Sequence, residues 1–253
     1  RCLSMHRFFV QPEDISDGMV RIGGSDFNHI NRALRLETGE KIIVSSGDGL
    51  DHLAEIREFR DNEVIVVIKE SYRNKNEPEL QVTLAQAIPK KGNMELIIQK
   101  CTELGIRRII PLFTERTIVK LDEKKQEKRR ERWQKIAEEA AKQSRRGIIP
   151  YIDNFYRLQE LVDIFAEFDI VLIPWEEEEE NGLRGALEKV DLKEKSRILI
   201  IIGPEGGFSA GEVEDVRKTG GISVSLGPRI LRTETAGFVT LTALLYQAGE
   251  LGG

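Results

Sequence analysis

Hydrophobic and polar positions divide the chain into two halves of different texture. Up to about residue 70, short apolar stretches alternate with turn residues. His6 to Val10, Met19 to Ile22, Lys41 to Ser45, Leu53 to Phe59 and Glu63 to Lys69 read as strands. Gly47-Asp48-Gly49 and Asp61-Asn62 between them are hairpin chemistry. Phe27 to Leu36 reads as one short helix capped by Ser25. Strands joined this closely predict an antiparallel meander closing into a small β-barrel. Ser71 to Glu79 is polar, ends in Glu-Pro-Glu and reads as a linker. The division predicted is 1–73 and 74–253.

From Leu80 the pattern changes to alternating strands and helices, which predicts an α/β domain on a parallel sheet. Leu80 to Ile88, Arg107 to Leu112, Ile148 to Ile152, Asp169 to Pro174 and Arg197 to Ile202 are its strands. Between the first two, Met94, Ile97, Ile98, Cys101 and Leu104 recur at helical spacing after Asn93, and Gly105 ends that helix. Lys124 to Arg146 is a long helix with Trp133, Ile136, Ala137, Ala140 and Ala141 on one face. Shorter helices are expected over Leu158 to Glu167 and Leu183 to Val190.

The most informative stretch is Arg197 to Gln247. A continuous apolar strand breaks into Gly203-Pro204-Glu205-Gly206-Gly207-Phe208. Ser209 then opens a helix with Glu212 at capping-box spacing. Strand Ile222 to Leu226 breaks into Gly227-Pro228-Arg229-Ile230-Leu231-Arg232-Thr233-Glu234-Thr235, and Ala236 to Ala248 runs as an apolar helix. Two successive strand-to-helix loops suited to close backbone approach predict one crevice at the carboxyl ends of neighbouring strands. Neither loop is a Walker A or a GxGxxG fingerprint, so spacing gives a pocket and no ligand.

Composition narrows the classes. The 253 residues are 40% hydrophobic and 32% charged, and no apolar run reaches the roughly 20 residues of a membrane span. Two cysteines and three scattered histidines make neither a disulfide framework nor a metal cluster. A cytoplasmic protein is expected. Residues Arg1 to Ser4, before Met5, are left out of the fold reasoning. The net charge of −5 argues against nucleic acid as partner, yet residues 116–146 hold twelve Lys/Arg against six Asp/Glu. An acidic chain can still turn one basic face to phosphates. The Glu176 to Glu180 run is expected to be a solvated face.

Ile202 to Ser209, Leu226-Gly227 and Ile230 to Ala236 together resemble the SPOUT-type RNA methyltransferases. Within them the chain is most similar to the ribosomal RNA small subunit methyltransferase E family. Met5-His6-Arg7-Phe8-Phe9, Ala85 to Lys90, Met94-Glu95, Gln99-Lys100 and Glu103-Leu104-Gly105 fit the same pattern, so the resemblance runs over nearly the whole chain. It implies a PUA-like RNA-binding β-barrel followed by a parallel sheet with a C-terminal trefoil knot, and a homodimer. General topology rules disfavour knots, so that expectation rests on resemblance alone.

The resemblance implies S-adenosylmethionine as methyl donor and N3 of a uridine in 16S rRNA of the small subunit as acceptor. Leu172, Pro174, Ile202, Gly203, Pro204, Glu205, Gly207, Leu226, Gly227, Ile230, Leu231, Thr235 and Ala236 are the expected cofactor residues. Uridine N3 must lose a proton before it attacks, and Arg232 is the candidate to stabilise the anionic base. Glu234 orients Arg232, acts as base or caps the helix. Arg7 anchors a phosphate or reaches towards the base. Lys90, Arg116, Gln143, Arg145 and Arg146 are expected RNA contacts, as is Arg7. No metal is expected. The alternative function is a non-catalytic RNA-binding assembly factor of the same fold.

Overall fold

The computed structural model describes residues 5–190, 192 and 196–252; Arg1 to Ser4 lie outside them, and Cys2 with them. The chain separates into two compact units, Arg1–Glu77 with Ala141–Ile149, and Pro78–Ala140 with Pro150–Gly253.

In the first unit, β1 (Arg7–Phe9), β2 (Ile15–Ser16), β3 (Met19–Gly23), β4 (Lys41–Ser45), β5 (Leu50–Phe59) and β6 (Glu63–Arg73) form one sheet in the order β1-β4-β5-β6-β3-β2. All pairs are antiparallel except β1 with β4. The expected barrel is one wrapped sheet whose end strands, β1 and β2, share no ladder among the described residues. Two irregularities in the β5–β6 register bend it. Phe8, Val20, Ile42, Val44, Ala54, Ile56, Val64 and Val66 then meet in a common interior with Phe27 and Ile30. The expected helix over 27–36 starts earlier. It is α1 (Gly24–Asn28) with Gly23 rather than Ser25 as N-cap, continuing as a π-turn over His29–Leu34.

The second unit holds β7 (Gln81–Ala87), α2 (Asn93–Leu104), β8 (Arg108–Phe113), α3 (Glu123–Gln143), β9 (Tyr151–Ile152), β10 (Tyr156–Arg157), α4 (Leu158–Val162), β11 (Ile170–Pro174), α5 (Leu183–Glu188), β12 (Arg197–Ile202), α6 (Ala210–Lys218), β13 (Ile222–Val224) and α7 (Thr233–Gln247). Its sheet is parallel throughout, in the order β10-β8-β7-β12-β11-β13, with β9 beside β8. Strand β12 enters between β7 and β11, both earlier in sequence.

Alternation explains why these strands read as unbroken apolar runs. Ile198, Ile200 and Ile202 face one core with α2 and α7, while Leu199 and Ile201 face a second core with α4 and α6. A sheet covered on both faces needs apolar residues at odd and even positions alike. Cys101 lies fully buried in the first core as a small packing residue, and burial pushes its thiol far above the ordinary cysteine range.

Segment 141–149 departs most from expectation, since the sequence reading left it with the second domain. The long helix stops at Gln143, and Arg145 takes a left-handed φ of 59°. Arg146 is 2% exposed and donates to Glu77 at 2.7 Å. The same carboxylate accepts the N–H groups of Gly147 at 2.8 Å and Ile148 at 3.0 Å. Asn74 and Asn76 both donate to the Arg145 carbonyl, and Ser45 and Gly49 donate to the Gly147 carbonyl. A Cβ on Gly147 would lie 2.7 Å from the Asn74 Cβ, so only glycine passes.

Glu77 therefore satisfies three donors that have little access to water. Glu77→Ala is expected to destabilise the protein by about 3–5 kcal/mol, because it leaves a buried guanidinium uncompensated. Urea unfolding measures this; a loss below about 1 kcal/mol would show the clasp to be dispensable.

Candidate active site

The carboxyl ends of β11, β12 and β13 open into one cavity of about 1010 Å³. The first loop, after β12, is shaped by its own anchors. Gly207 adopts φ 66° and donates to the Pro204 carbonyl at 2.9 Å, closing a tight turn. Phe208, 1% exposed, drops its ring into the second core. Ser209 and Glu212 form the expected capping box of α6, and the other Glu212 oxygen accepts the N–H of Glu115 at 2.7 Å.

Two further ties hold the loop from outside. Glu205 accepts the backbone N–H of Lys90 at 2.7 Å, and Arg116 donates to the Gly206 carbonyl at 2.7 Å. Both side chains thus have a local task in the structure. The glycines serve protein packing as much as any ligand. A Cβ on Gly203 would come within 3.0 Å of the Phe208 ring, and one on Gly207 within 1.8 Å of a Glu176 oxygen.

The second loop, after β13, is more open. Gly227 takes φ 104°, with nothing within 4 Å of where a Cβ would stand. Ile230 is 89% exposed. The backbone N–H groups of Leu226 and Leu231 donate no hydrogen bond among the described residues. The indole N–H of Trp175, a cavity residue, is buried without a partner. Orphan donors at a cavity wall mark a site able to receive acceptor atoms.

Most expected cofactor residues meet here. Pro174, Ile202, Gly203, Pro204, Glu205, Gly207, Leu226, Gly227, Ile230, Leu231 and Ala236 all line the cavity, as do Arg232 and Glu234. Two do not. Leu172 sits two residues before the end of β11 with its side chain wholly in the first core. Thr235 belongs to the first turn of α7 and is not part of the wall.

The Arg232 side chain is exposed and, among the described residues, has no hydrogen bond or ion pair with Glu234 or any other group. As N-cap of α7 it gives its backbone, while its side chain caps nothing. Glu234 forms no capping bond either. Helix α7 begins at Thr233 rather than Ala236, which puts both charged groups at a helix N-terminus.

The expected RNA residues separate. Lys90 is exposed and lines the cavity; Gln143 and Arg145 are exposed. Arg146 is buried against Glu77, which removes the free cation an RNA contact requires. Arg7 is similarly engaged in the first unit. Its guanidinium grips both Asp51 oxygens, one of which also accepts from Asn74 at 2.9 Å, and its side chain is 11% exposed. A guanidinium held this way ties strand to strand.

The Glu176 to Glu180 run is not uniformly solvated. Glu178 is 7% exposed. It accepts from the Ser223 hydroxyl, from Arg217 at 2.6 Å, and from the N–H groups of Glu180 and Asn181 at 3.0 and 3.1 Å. Arg217 in turn lies 5.6 Å from the centre of the Trp175 ring. Five adjacent glutamates carry no signal that singles out the third.

A parallel sheet with a crevice at the carboxyl ends of its strands and a separate β-unit define an α/β protein built to hold a ligand at its strand ends. The RNA methyltransferase domain family matches residues 76–245, and the RNA methyltransferase PUA domain family matches residues 22–69. The ribosomal RNA small subunit methyltransferase E of Bacillus subtilis is 37% identical over 98% of this chain and 99% of its own length. That of Synechocystis is 33% identical over 94% and 77%. The crystal structure of the Neisseria gonorrhoeae enzyme bound to S-adenosyl methionine superposes with a TM-score of 0.83 at 31% identity, covering 96% of this chain and 97% of that one. A Legionella pneumophila methyltransferase in complex with the same cofactor gives 0.82 at 32% identity, with the same coverage. The chain belongs to the ribosomal RNA small subunit methyltransferase E family.

Glu178 sets a pH dependence. Burial alone would raise its pKa, but hydrogen bonds from Ser223, Asn181, Glu180 and Arg217 outweigh it and hold the carboxyl below the ordinary range. A carboxylate depressed in the folded state contributes stability above its unfolded pKa and loses it as pH falls through the folded value. Glu178→Gln is therefore expected to be less stable than the parent at pH 7, with the gap closing as pH falls through and below the carboxylate range. Urea midpoints across pH test this; a gap that does not change with pH would refute it.

Proposed function

We infer that this chain is an S-adenosylmethionine-dependent methyltransferase of ribosomal RNA, and that its acceptor is N3 of a uridine in 16S rRNA of the small subunit. The observation that carries the reading is the unpaired Arg232 at the mouth of the cavity between the two glycine loops. Its guanidinium is held by no carboxylate among the described residues, which leaves it available to negative charge developing in the cavity. It stands two residues from Glu234 and makes no bond to it.

The cavity fits the cofactor in size and chemistry. Its walls combine apolar side chains of Pro174, Ile202, Leu226 and Leu231 with free backbone donors and the indole N–H of Trp175. Glu176 and Glu179 add negative charge suited to a sulfonium. When bound, S-adenosylmethionine supplies an already activated methyl group. The residues of the chain have the remaining tasks. The loops orient the donor and exclude water. Arg232 stabilises the negative charge that develops on the uracil as N3 loses its proton. Glu234, in the first turn of α7 and lining the cavity, accepts that proton. Lys90, exposed at the cavity and close to the N-terminus of α2, is suited to an RNA phosphate. Gln143 and Arg145 are further exposed candidates.

The expectations of a homodimer, a cytoplasmic location and a knotted C-terminal segment belong to this reading. Exposed apolar residues on or after α7, Val239, Tyr246 and Leu251, support the first. Among the described residues no helix is long and apolar enough to cross a membrane. The late insertion of β12 between β7 and β11 is compatible with threading.

Incubating the protein with S-adenosylmethionine and small subunits, then mapping the RNA by mass, is expected to place one methyl group on N3 of a uridine. No transfer, or transfer to another atom, would overturn the reading. Arg232→Ala is expected to keep cofactor affinity within a few-fold while kcat falls about 10²–10³-fold, the scale of one lost electrostatic stabiliser. Calorimetric titration and single-turnover kinetics separate the two effects.

A further inference from the structure

Gln86 lies at 0% exposure on β7, next to the end of β12 with which it is in register at Ile202. Its Nε2 donates to the Ala87 carbonyl at 3.0 Å and to the Thr233 hydroxyl at 2.9 Å. The Thr233 hydroxyl donates in turn to the Gly203 carbonyl at 2.6 Å. A hydroxyl has one proton, and the carbonyl of Gly203 can only accept it. The Thr233 oxygen must therefore accept from Gln86, and the amide orientation follows from chemistry. Each member has one possible polarity, so the chain Gln86–Thr233–Gly203 reads in a single direction.

Its two ends matter. Gly203 is the first residue of the first glycine loop, and Thr233 is the first residue of α7, directly after Arg232. This relay joins the start of one cavity loop to the end of the other. The remaining Gln86 oxygen is buried without a partner, and a Cβ on Gly237 would stand 3.5 Å from it. An orphaned buried acceptor is costly. A leucine there would avoid the cost and satisfy the core, so the retained amide calls for a reason beyond packing.

We propose that Gln86 is a positioning residue for methyl transfer: through Thr233 it fixes Arg232 and the Gly203–Gly207 loop at one separation. The proposal rests on the functional reading of this cavity. Gln86 itself touches neither donor nor acceptor. Loss of the relay lets the N-terminus of α7 shift against the first loop, and misplacement on the order of 1 Å costs about a hundredfold in rate.

The test uses Gln86→Leu, Thr233→Val, their double variant and Thr233→Ser in the full chain. Melting temperature, S-adenosylmethionine affinity, and kcat and KM on small subunits are measured. Gln86→Leu and Thr233→Val are expected each to lower kcat about ten- to a hundredfold with KM for RNA little changed. The double variant is expected to be no worse than the poorer single one, because both break the same relay. Thr233→Ser, which keeps the hydroxyl, is expected to regain most of the rate lost in Thr233→Val. Multiplying losses in the double variant, or equal rates for serine and valine at 233, would overturn the proposal. Should Gln86→Leu fold poorly, the serine–valine comparison decides alone. An unmodified protein that transfers no methyl group would instead refute the functional reading, and non-multiplying changes in cofactor affinity would still report the relay.

Discussion

Everything in the second unit follows from burial of its sheet on both faces. Strand β12 pairs along its whole length with β7 and for three residues with β11, and its side chains are divided between two cores. No face of such a strand is left for polar chemistry. Function is displaced to where the strands end and the backbone can no longer be paired by a neighbour. The cavity lies there because it is the one kind of place this architecture leaves available.

That constraint also explains the form of the two loops. The first must turn sharply, return an aromatic ring to the core and start a helix within seven residues. Phe208 and Ser209 fix its exit, Glu205 and Arg116 fix its middle, and Gly203 and Gly207 stand where a Cβ would crowd the Phe208 ring and the Glu176 carboxylate. The second loop has few such ties and carries the charged groups. A rigid loop opposite a freer one divides the work: shape on one side, chemistry on the other. The relay from Gln86 to Gly203 is the point at which the freer side is referred back to the rigid one.

Much of this was legible because the signals were local. The run Arg197 to Ile202, the capping box at Ser209 and the helical spacing of Met94 to Leu104 each depend on neighbours in sequence, and each recurs in the structure. The cavity could be anticipated because consecutive strand-to-helix loops in a parallel sheet must open on the same side. What escaped depends on partners far away in sequence. Arg146 looks like a helix-terminal cation until Glu77, sixty-nine positions earlier, claims it. Glu178 is indistinguishable from its four neighbours until Ser223 and Arg217 converge on it. Leu172 is expected in the wall from the family resemblance, but it lies two residues short of the end of β11, with its side chain in the first core.

The fates of the arginines suggest how a highly charged chain separates structure from chemistry. Arg7, Arg146 and Arg217 each meet a carboxylate that is itself more than nine-tenths buried or nearly so: Asp51, Glu77 and Glu178. Such pairs are costly to break, and so they specify one arrangement of chain more than they add to stability. Arg232 differs in having a carboxylate two positions away and no bond to it. A helix N-terminus carries partial positive charge, and the exposed Arg232 guanidinium beside it is solvated rather than paired. The open side of the cavity thus presents positive charge from both the helix end and Arg232, an arrangement that favours a group carrying negative charge.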